Sequence, residues 1–203
     1  MGPEKMHINN VFWTFQGEGM HSGRRALFVR MPYCNLKCPW CDTEFNSHKE
    51  WMNSELMDFA TQEQARFAVI TGGEPMMHKH TPRVVALLKQ LGFEIACETN
   101  GMFPIVDGID FVTCSPKGYG DNPFFVHPQV WDKVSEWKYV VEEGFDFALL
   151  DRHKGDHYKP YQRYSLSPEF GIMERSLERI FAFIKENPTW RISLQTHKFM
   201  NIP

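Results

Sequence analysis

The chain has 203 residues, 42% of them hydrophobic, with 22 basic against 25 acidic side chains and a formal net charge of −3. That length suits one domain with a core of its own, and the composition excludes a disordered chain. The near balance of charge excludes a broadly basic nucleic-acid-coating surface, and no apolar run reaches the 18 residues of a membrane span.

The opening Met1-Gly2-Pro3-Glu4-Lys5-Met6-His7 lacks the apolar stretch of a signal peptide, so a cytoplasmic location is expected. Residues 25–31 (Arg-Ala-Leu-Phe-Val-Arg-Met) read as a buried strand. Directly after it comes Cys34-Asn35-Leu36-Lys37-Cys38-Pro39-Trp40-Cys41-Asp42-Thr43, with spacing C-x₃-C-x₂-C. Short strands follow at 67–70, 94–99, 110–114, 137–141 and 161–166, each rich in β-branched or aromatic residues. The strand at 67–70 runs into Thr71-Gly72-Gly73-Glu74-Pro75, and the one at 110–114 into Ser115-Pro116-Lys117.

Two helices are clear. One opens with Thr81 as N-cap and Pro82 at its first position, carries Val84, Val85, Leu88 and Leu91, and stops at Gly92. The other sets Met173, Leu177, Ile180, Phe181 and Ile184 on one face and ends at Asn187-Pro188. A weaker helical stretch lies at 145–151, and the 45–66 segment is short enough to have lost a helix. Alternating strands and helices predict an α/β fold. Six strands are too few for a closed eight-stranded barrel, so an open, partial (β/α)6-type barrel is expected, with one domain over 1–203. Working residues of such sheets sit at strand ends, where Arg30, Thr71, Gly73, Glu98, Asn100, Ser115 and Lys117 fall.

An odd count of five cysteines argues against a disulfide framework. Cys97 and Cys114 lie in apolar strands and read as small hydrophobes. Three thiolates on one loop can hold three irons of a [4Fe–4S] cluster and leave the fourth iron open to a small molecule. The competing reading is a structural zinc site, or a non-catalytic electron-transfer protein, with His48 as a fourth ligand. His7, His21, His78, His80, His127, His153 and His157 show no ligand spacing, and His78 and His80 suit a solvated loop.

With the Gly-Gly-Glu-Pro segment beside it, the cysteine loop resembles that of the radical S-adenosylmethionine (SAM) enzymes. Phe12-Trp13-Thr14-Phe15-Gln16-Gly17-Glu18-Gly19, Cys41-Asp42-Thr43, Glu98-Thr99-Asn100-Gly101, Lys138-Tyr139-Val140-Val141 and Leu194-Gln195-Thr196-His197-Lys198 narrow the resemblance to the 7-carboxy-7-deazaguanine synthases of 7-deazapurine and queuosine biosynthesis. Glycyl-radical activases share the cysteine loop but are not expected to carry the Gln-Gly-Glu-Gly segment. The resemblance implies a radical SAM barrel, a [4Fe–4S] cluster on Cys34, Cys38 and Cys41, SAM, and Mg²⁺ on Thr43. It implies a 6-carboxy-tetrahydropterin substrate met by Phe15, Gln16, Gly17, Glu18, Arg30, Thr71 and the carboxylate of Pro203. SAM would be met by Trp40, Cys41, Asp42, Gly73, Glu74, Ser115, Pro116, Lys117, Ser167, Pro168, Glu169 and Phe170. Where the family often has Gln-Pro, this chain has Ser167-Pro168. Further expectations are a flavodoxin- or ferredoxin-type electron donor, a homodimer, and no nucleic-acid or membrane partner. The tail's Met200 and Ile202 are expected to be buried.

Overall fold

The structure is a computed structural model that describes residues 5–119, 122–155 and 159–203. The elements in chain order are β1 (Met6–Ile8), β2 (Asn10–Phe15), β3 (Arg25–Met31), β4 (Lys49–Trp51), α1 (Asn53–Ala60), β5 (Phe67–Gly72), α2 (Thr81–Gln90), β6 (Glu94–Thr99), β7 (Phe111–Cys114), β8 (Lys117–Tyr119), β9 (Asn122–Phe125), β10 (Glu136–Val141), α3 (Ala148–Lys154), β11 (Arg163–Pro168), α4 (Met173–Glu186), β12 (Arg191–Ile192) and α5 (Thr196–Met200). Eight strands form one sheet in the order β12-β11-β10-β7-β6-β5-β3-β2. All neighbours run parallel except β2, which returns antiparallel along β3. The six expected strands are the central parallel ones. The sheet stays open, as expected, with β2 and β12 at its edges.

Side chains alternate between the two faces of a strand. On one face Leu27, Val29, Met31, Ala68, Ile70, Ile95, Cys97, Val112, Cys114, Trp137, Tyr139 and Leu166 join the main core, with α2 and α4 supplying Val84, Val85, Leu88 and Ile180. The other face starts apolar with Ala26, Phe28, Phe67, Val69 and Ala96, against which Phe12 and Phe111 pack. Farther along the same strands that face turns polar, at Arg30, Thr71, Glu98, Thr113, Lys138 and Ser167. Both faces are covered, so the central strands read as apolar runs, and a charge within one is conspicuous.

Some local expectations shift. His80, not Thr81, is the N-cap residue of α2, and the Thr81 hydroxyl donates to the Pro75 carbonyl at 2.6 Å, tying the helix to the Gly-Gly-Glu-Pro turn. Gly92 does stop the helix, at φ +79°. Between residues 45 and 66 the only helix is α1. On α4 Ile180 is buried but Phe181 is exposed, because the helix turns only a narrow stripe to the sheet. Met200 and Phe199 are exposed as well. His78 and His80 do not sit in a solvated loop: they are half-buried in a group of rings with His7 and His48. His157 lies outside the described residues.

Candidate active site

The cysteine loop leaves β3 through Tyr33, whose φ of +62° turns the chain sharply. The Tyr33 amide donates to the Phe45 carbonyl at 2.6 Å, and the Tyr33 carbonyl accepts from the Glu74 amide at 2.8 Å. A Cβ on Gly73 would lie 1.8 Å from that carbonyl oxygen and 2.8 Å from the Cys34 nitrogen. Glycine is therefore required where the two loops press backbone to backbone.

Glu74 is fully buried. Its Oε1 accepts from the Met76 amide and the Thr99 hydroxyl, and its Oε2 from the Asn100 amide. Burial pushes its carboxyl up, and these hydrogen bonds oppose the shift. Glu74 thus fastens the turn to the end of β6 and is not among the residues that line the cavity. The Asn100 amide group in turn donates to Asn35 in the cysteine loop at 2.9 Å.

Strand ends and loop enclose a cavity of about 470 Å³. Of the expected site residues, Glu18, Cys34, Cys38, Trp40, Cys41, Asp42, Thr43, Thr71, Gly73, Ser115, Lys117, Ser167, Pro168, Glu169 and Phe170 line it. Pro116 lines an adjoining cavity of about 220 Å³ that shares Trp40 and Lys117. The Lys117 ammonium is held on the Ser115 hydroxyl at 2.5 Å and carbonyl at 2.8 Å, and burial pushes its pKa down.

Besides Arg30, four expected substrate contacts stand back from the cavity. Phe15 is exposed beneath the Arg25 guanidinium. Gln16 is buried and committed within the protein, its amide donating to Glu98 Oε1 at 3.1 Å and its oxygen accepting from the Glu18 amide at 3.1 Å. The Gly17 carbonyl accepts from both the amide and the hydroxyl of Thr196, fixing α5 to this segment. Pro203 is exposed, with its carbonyl oxygen accepting from Thr14 Oγ1 at 2.9 Å.

Arg30 does not line the cavity but stands in register with Thr71, on the same polar face. Its Nε is buried and has no hydrogen-bond partner among the described residues, and its guanidinium lies 5.3 Å from the Phe12 ring centroid. An unpartnered buried donor calls for an acceptor. Burial pushes the Arg30 pKa down, and Asp42, Glu98 and Glu44 oppose this.

Burial also raises the Cys34 and Cys38 thiols, and the charges of the neighbouring loop thiols raise them further. Three soft sulfur donors facing one cavity fit a multi-iron group. Among the described residues no three His, Cys, Asp or Glu side chains converge on a single-ion site. His48 is bonded to the Tyr33 hydroxyl at 2.9 Å and stacked on His7, away from the cavity.

Lys138, Gln195 and Lys198 line the cavity without having been expected there, and Glu98, expected only as a strand-end polar residue, lines it with them. Lys198 forms an ion pair with Asp42 and lies 4.3 Å from the Phe170 ring centroid, so α5 closes one side of the site. The signal available was a charge inside an apolar strand: Glu98 and Lys138 each interrupt one, and a buried charge must be paired.

An open parallel sheet with a three-cysteine loop at its carboxyl end defines a radical SAM protein, and residues 28–142 match the Radical SAM superfamily. Within it, the chain belongs to the 7-carboxy-7-deazaguanine synthase family. It is 34% identical to the 7-carboxy-7-deazaguanine synthase of Synechocystis sp., covering 96% of this chain and 92% of the relative. Identity to the Aquifex aeolicus synthase is 33%, covering 96% and 93%. QueE from Escherichia coli superimposes with a TM-score of 0.79 at 26% identity, covering 94% of this chain and 93% of that one.

Proposed function

We propose that this chain converts 6-carboxy-5,6,7,8-tetrahydropterin to 7-carboxy-7-deazaguanine with release of ammonia. The observation that carries this reading is the meeting, in one cavity, of the three loop thiols and the polar carboxyl ends of the strands. Cys34, Cys38 and Cys41 hold the [4Fe–4S] cluster, and Gly73, Trp40, Asp42, Ser115, Lys117 and the 167–170 segment receive SAM. When bound, cluster and SAM supply the 5′-deoxyadenosyl radical that removes hydrogen from the substrate. The protein binds, orients and excludes water.

Glu18 accepts from the donor edge of the heterocycle, as anionic acceptors suit amino and ring N–H groups. Arg30, with its unpartnered Nε, holds the substrate carboxylate. Thr43 ligates Mg²⁺, an ion that takes few protein ligands and keeps waters or substrate oxygens. The Pro203 carboxylate, steadied by the Thr14 hydroxyl that donates to it, accepts from the substrate. Residues 1–203 work as one domain, since a single sheet takes strands from Asn10 to Ile192. A flavodoxin- or ferredoxin-type donor, a homodimer and a cytoplasmic setting complete the reading; an exposed Cys41 on the cavity rim supports short-range electron entry.

The test is anaerobic reconstitution of the parent chain and Cys38→Ala. The parent takes up roughly four irons and cleaves SAM under reduction. Cys38→Ala loses both, and retention of a normal cluster in that variant removes the assignment.

A further inference from the structure

We propose that Lys138 is the positioning residue of the substrate end of the cavity, holding the carboxylates of Glu18 and Glu98 side by side as a paired acceptor for the donor edge of the heterocycle. This rests on the substrate proposed above.

Glu136 and Lys138 are two apart on β10 and so share a face. Lys138 is 8% exposed, with its ammonium 2.5 Å from Glu18 Oε2 and 3.6 Å from Glu98 Oε1. Both carboxylates line the cavity. The remaining contacts orient them. Glu18 Oε1 accepts from the Gln195 amide at 2.9 Å. Glu98 Oε1 accepts from Gln16 at 3.1 Å and Oε2 from the Thr71 hydroxyl at 3.2 Å. The two carboxylates thus share one ammonium. Each carboxylate has about four acceptor positions, and the protein fills only some of them. A heterocycle presenting an amino group beside a ring N–H supplies the missing donors.

Glu136 performs the matching task for the backbone. Its Oε2 accepts from the Met20 amide at 3.1 Å and its Oε1 from the Ser165 hydroxyl at 2.8 Å. A Cβ on Gly19 would meet Glu136 Oε2 at 2.6 Å, so the turn after Glu18 is seated on that carboxylate. One strand thus fixes both the course of the loop and the direction of its acidic side chain. Burial alone would raise the Glu18 carboxyl, but the Lys138 ammonium brings it below the ordinary carboxylate range.

The experiment measures steady-state kinetics of reconstituted parent, Lys138→Met, Lys138→Arg, Glu18→Gln and the Glu18→Gln/Lys138→Met double variant, with iron content and SAM binding for each. Lys138→Met is expected to raise KM for the carboxy-tetrahydropterin about tenfold to a hundredfold, with kcat changed far less and SAM affinity unaltered. Lys138→Arg recovers part of the loss. In the Glu18→Gln background, Lys138→Met adds less than its effect alone, because part of the lysine's action runs through that carboxylate and the rest through Glu98. Should Lys138→Met fail to hold iron or fold, Lys138→Arg with its own double variant gives the same comparison. An unchanged KM in the lysine variants, or full additivity with Glu18→Gln, overturns the inference while leaving the function standing. A parent enzyme that does not turn the pterin over overturns both.

Discussion

Gly73→Ala is the sharpest local perturbation that the fold offers. The added methyl would stand 1.8 Å from the Tyr33 carbonyl oxygen, 2.2 Å from its carbon and 2.8 Å from the Cys34 nitrogen. Ordinary contact begins near 3.4 Å, so the backbones must part by about 1.5 Å, and no flexible side chain can absorb the shift. Separation breaks the Glu74-to-Tyr33 bond of 2.8 Å and the Gly73-to-Met31 bond of 3.1 Å. Overpacking costs about 1–3 kcal/mol and each lost hydrogen bond about 1. The variant should therefore lose about 3–5 kcal/mol, or roughly 6–20 °C in Tm for a chain of this size. Because Cys34 moves with Tyr33, iron retention and SAM binding should fall with stability. The assay is anaerobic melting with iron and SAM-binding measurements, alongside Gly92→Ala. Gly92 has φ +79° but nothing within 4 Å of a new Cβ, so that control pays only backbone strain of about 1 kcal/mol and keeps its iron. A Gly73→Ala protein melting within a degree of the parent with full iron would refute the claim that the two loops are locked together.

Further outcomes follow from other contacts. Burial and the neighbouring imidazole of His80 push His78 down to about 4, so it is neutral when folded and protonates near 6.5 when unfolded. Its contribution is present above pH 6.5 and is lost as pH falls toward 4; after solvent screening it is about 1–2 kcal/mol, and His78→Gln should flatten that limb in denaturant titrations. A steep limb unchanged in the variant would assign the effect elsewhere. Arg30→Lys keeps the charge but loses the planar fork, so kcat/KM should fall at least about tenfold with SAM binding intact; an unchanged value makes Arg30 structural. Thr14→Val removes the donor to Pro203 and should raise KM for the pterin, as should residues appended after Pro203. If neither change moves KM, the tail only packs.

The six central strands, the cysteine loop and the Gly-Gly-Glu-Pro turn were legible in the sequence because each is a local pattern of period, spacing or turn residues; the antiparallel edge strand β2 and the short strands β1, β4, β8, β9 and β12 were not. The polar ends of the strands were legible for the same reason, and Thr71, Ser115 and Lys117 do line the cavity. What local pattern hides is how a side chain is spent. Glu74 and Gln16 look like ligand groups in the sequence, but each is consumed by partners far along the chain, Thr99 and Asn100 for one and Glu98 for the other. Lys138 looks like a stray charge in an apolar strand until β10 is set opposite the Glu18 segment. His7, His48, His78 and His80 lack any ligand spacing; the pairing of β1 with β4 brings His7 onto His48, and the segment leading into α2 adds His80 and His78.

The central claim is tested most directly by anaerobic turnover of the reconstituted chain with 6-carboxy-5,6,7,8-tetrahydropterin, SAM, Mg²⁺ and a low-potential reductant, following pterin, ammonia, deazapurine and SAM together. Loss of ammonia alone converts this substrate to 7-carboxy-7-deazaguanine, so the removed hydrogen is returned and SAM re-forms: deazapurine and ammonia should appear in equal amounts, far in excess of any SAM consumed. Cleavage of SAM in step with time and no deazapurine product would contradict it.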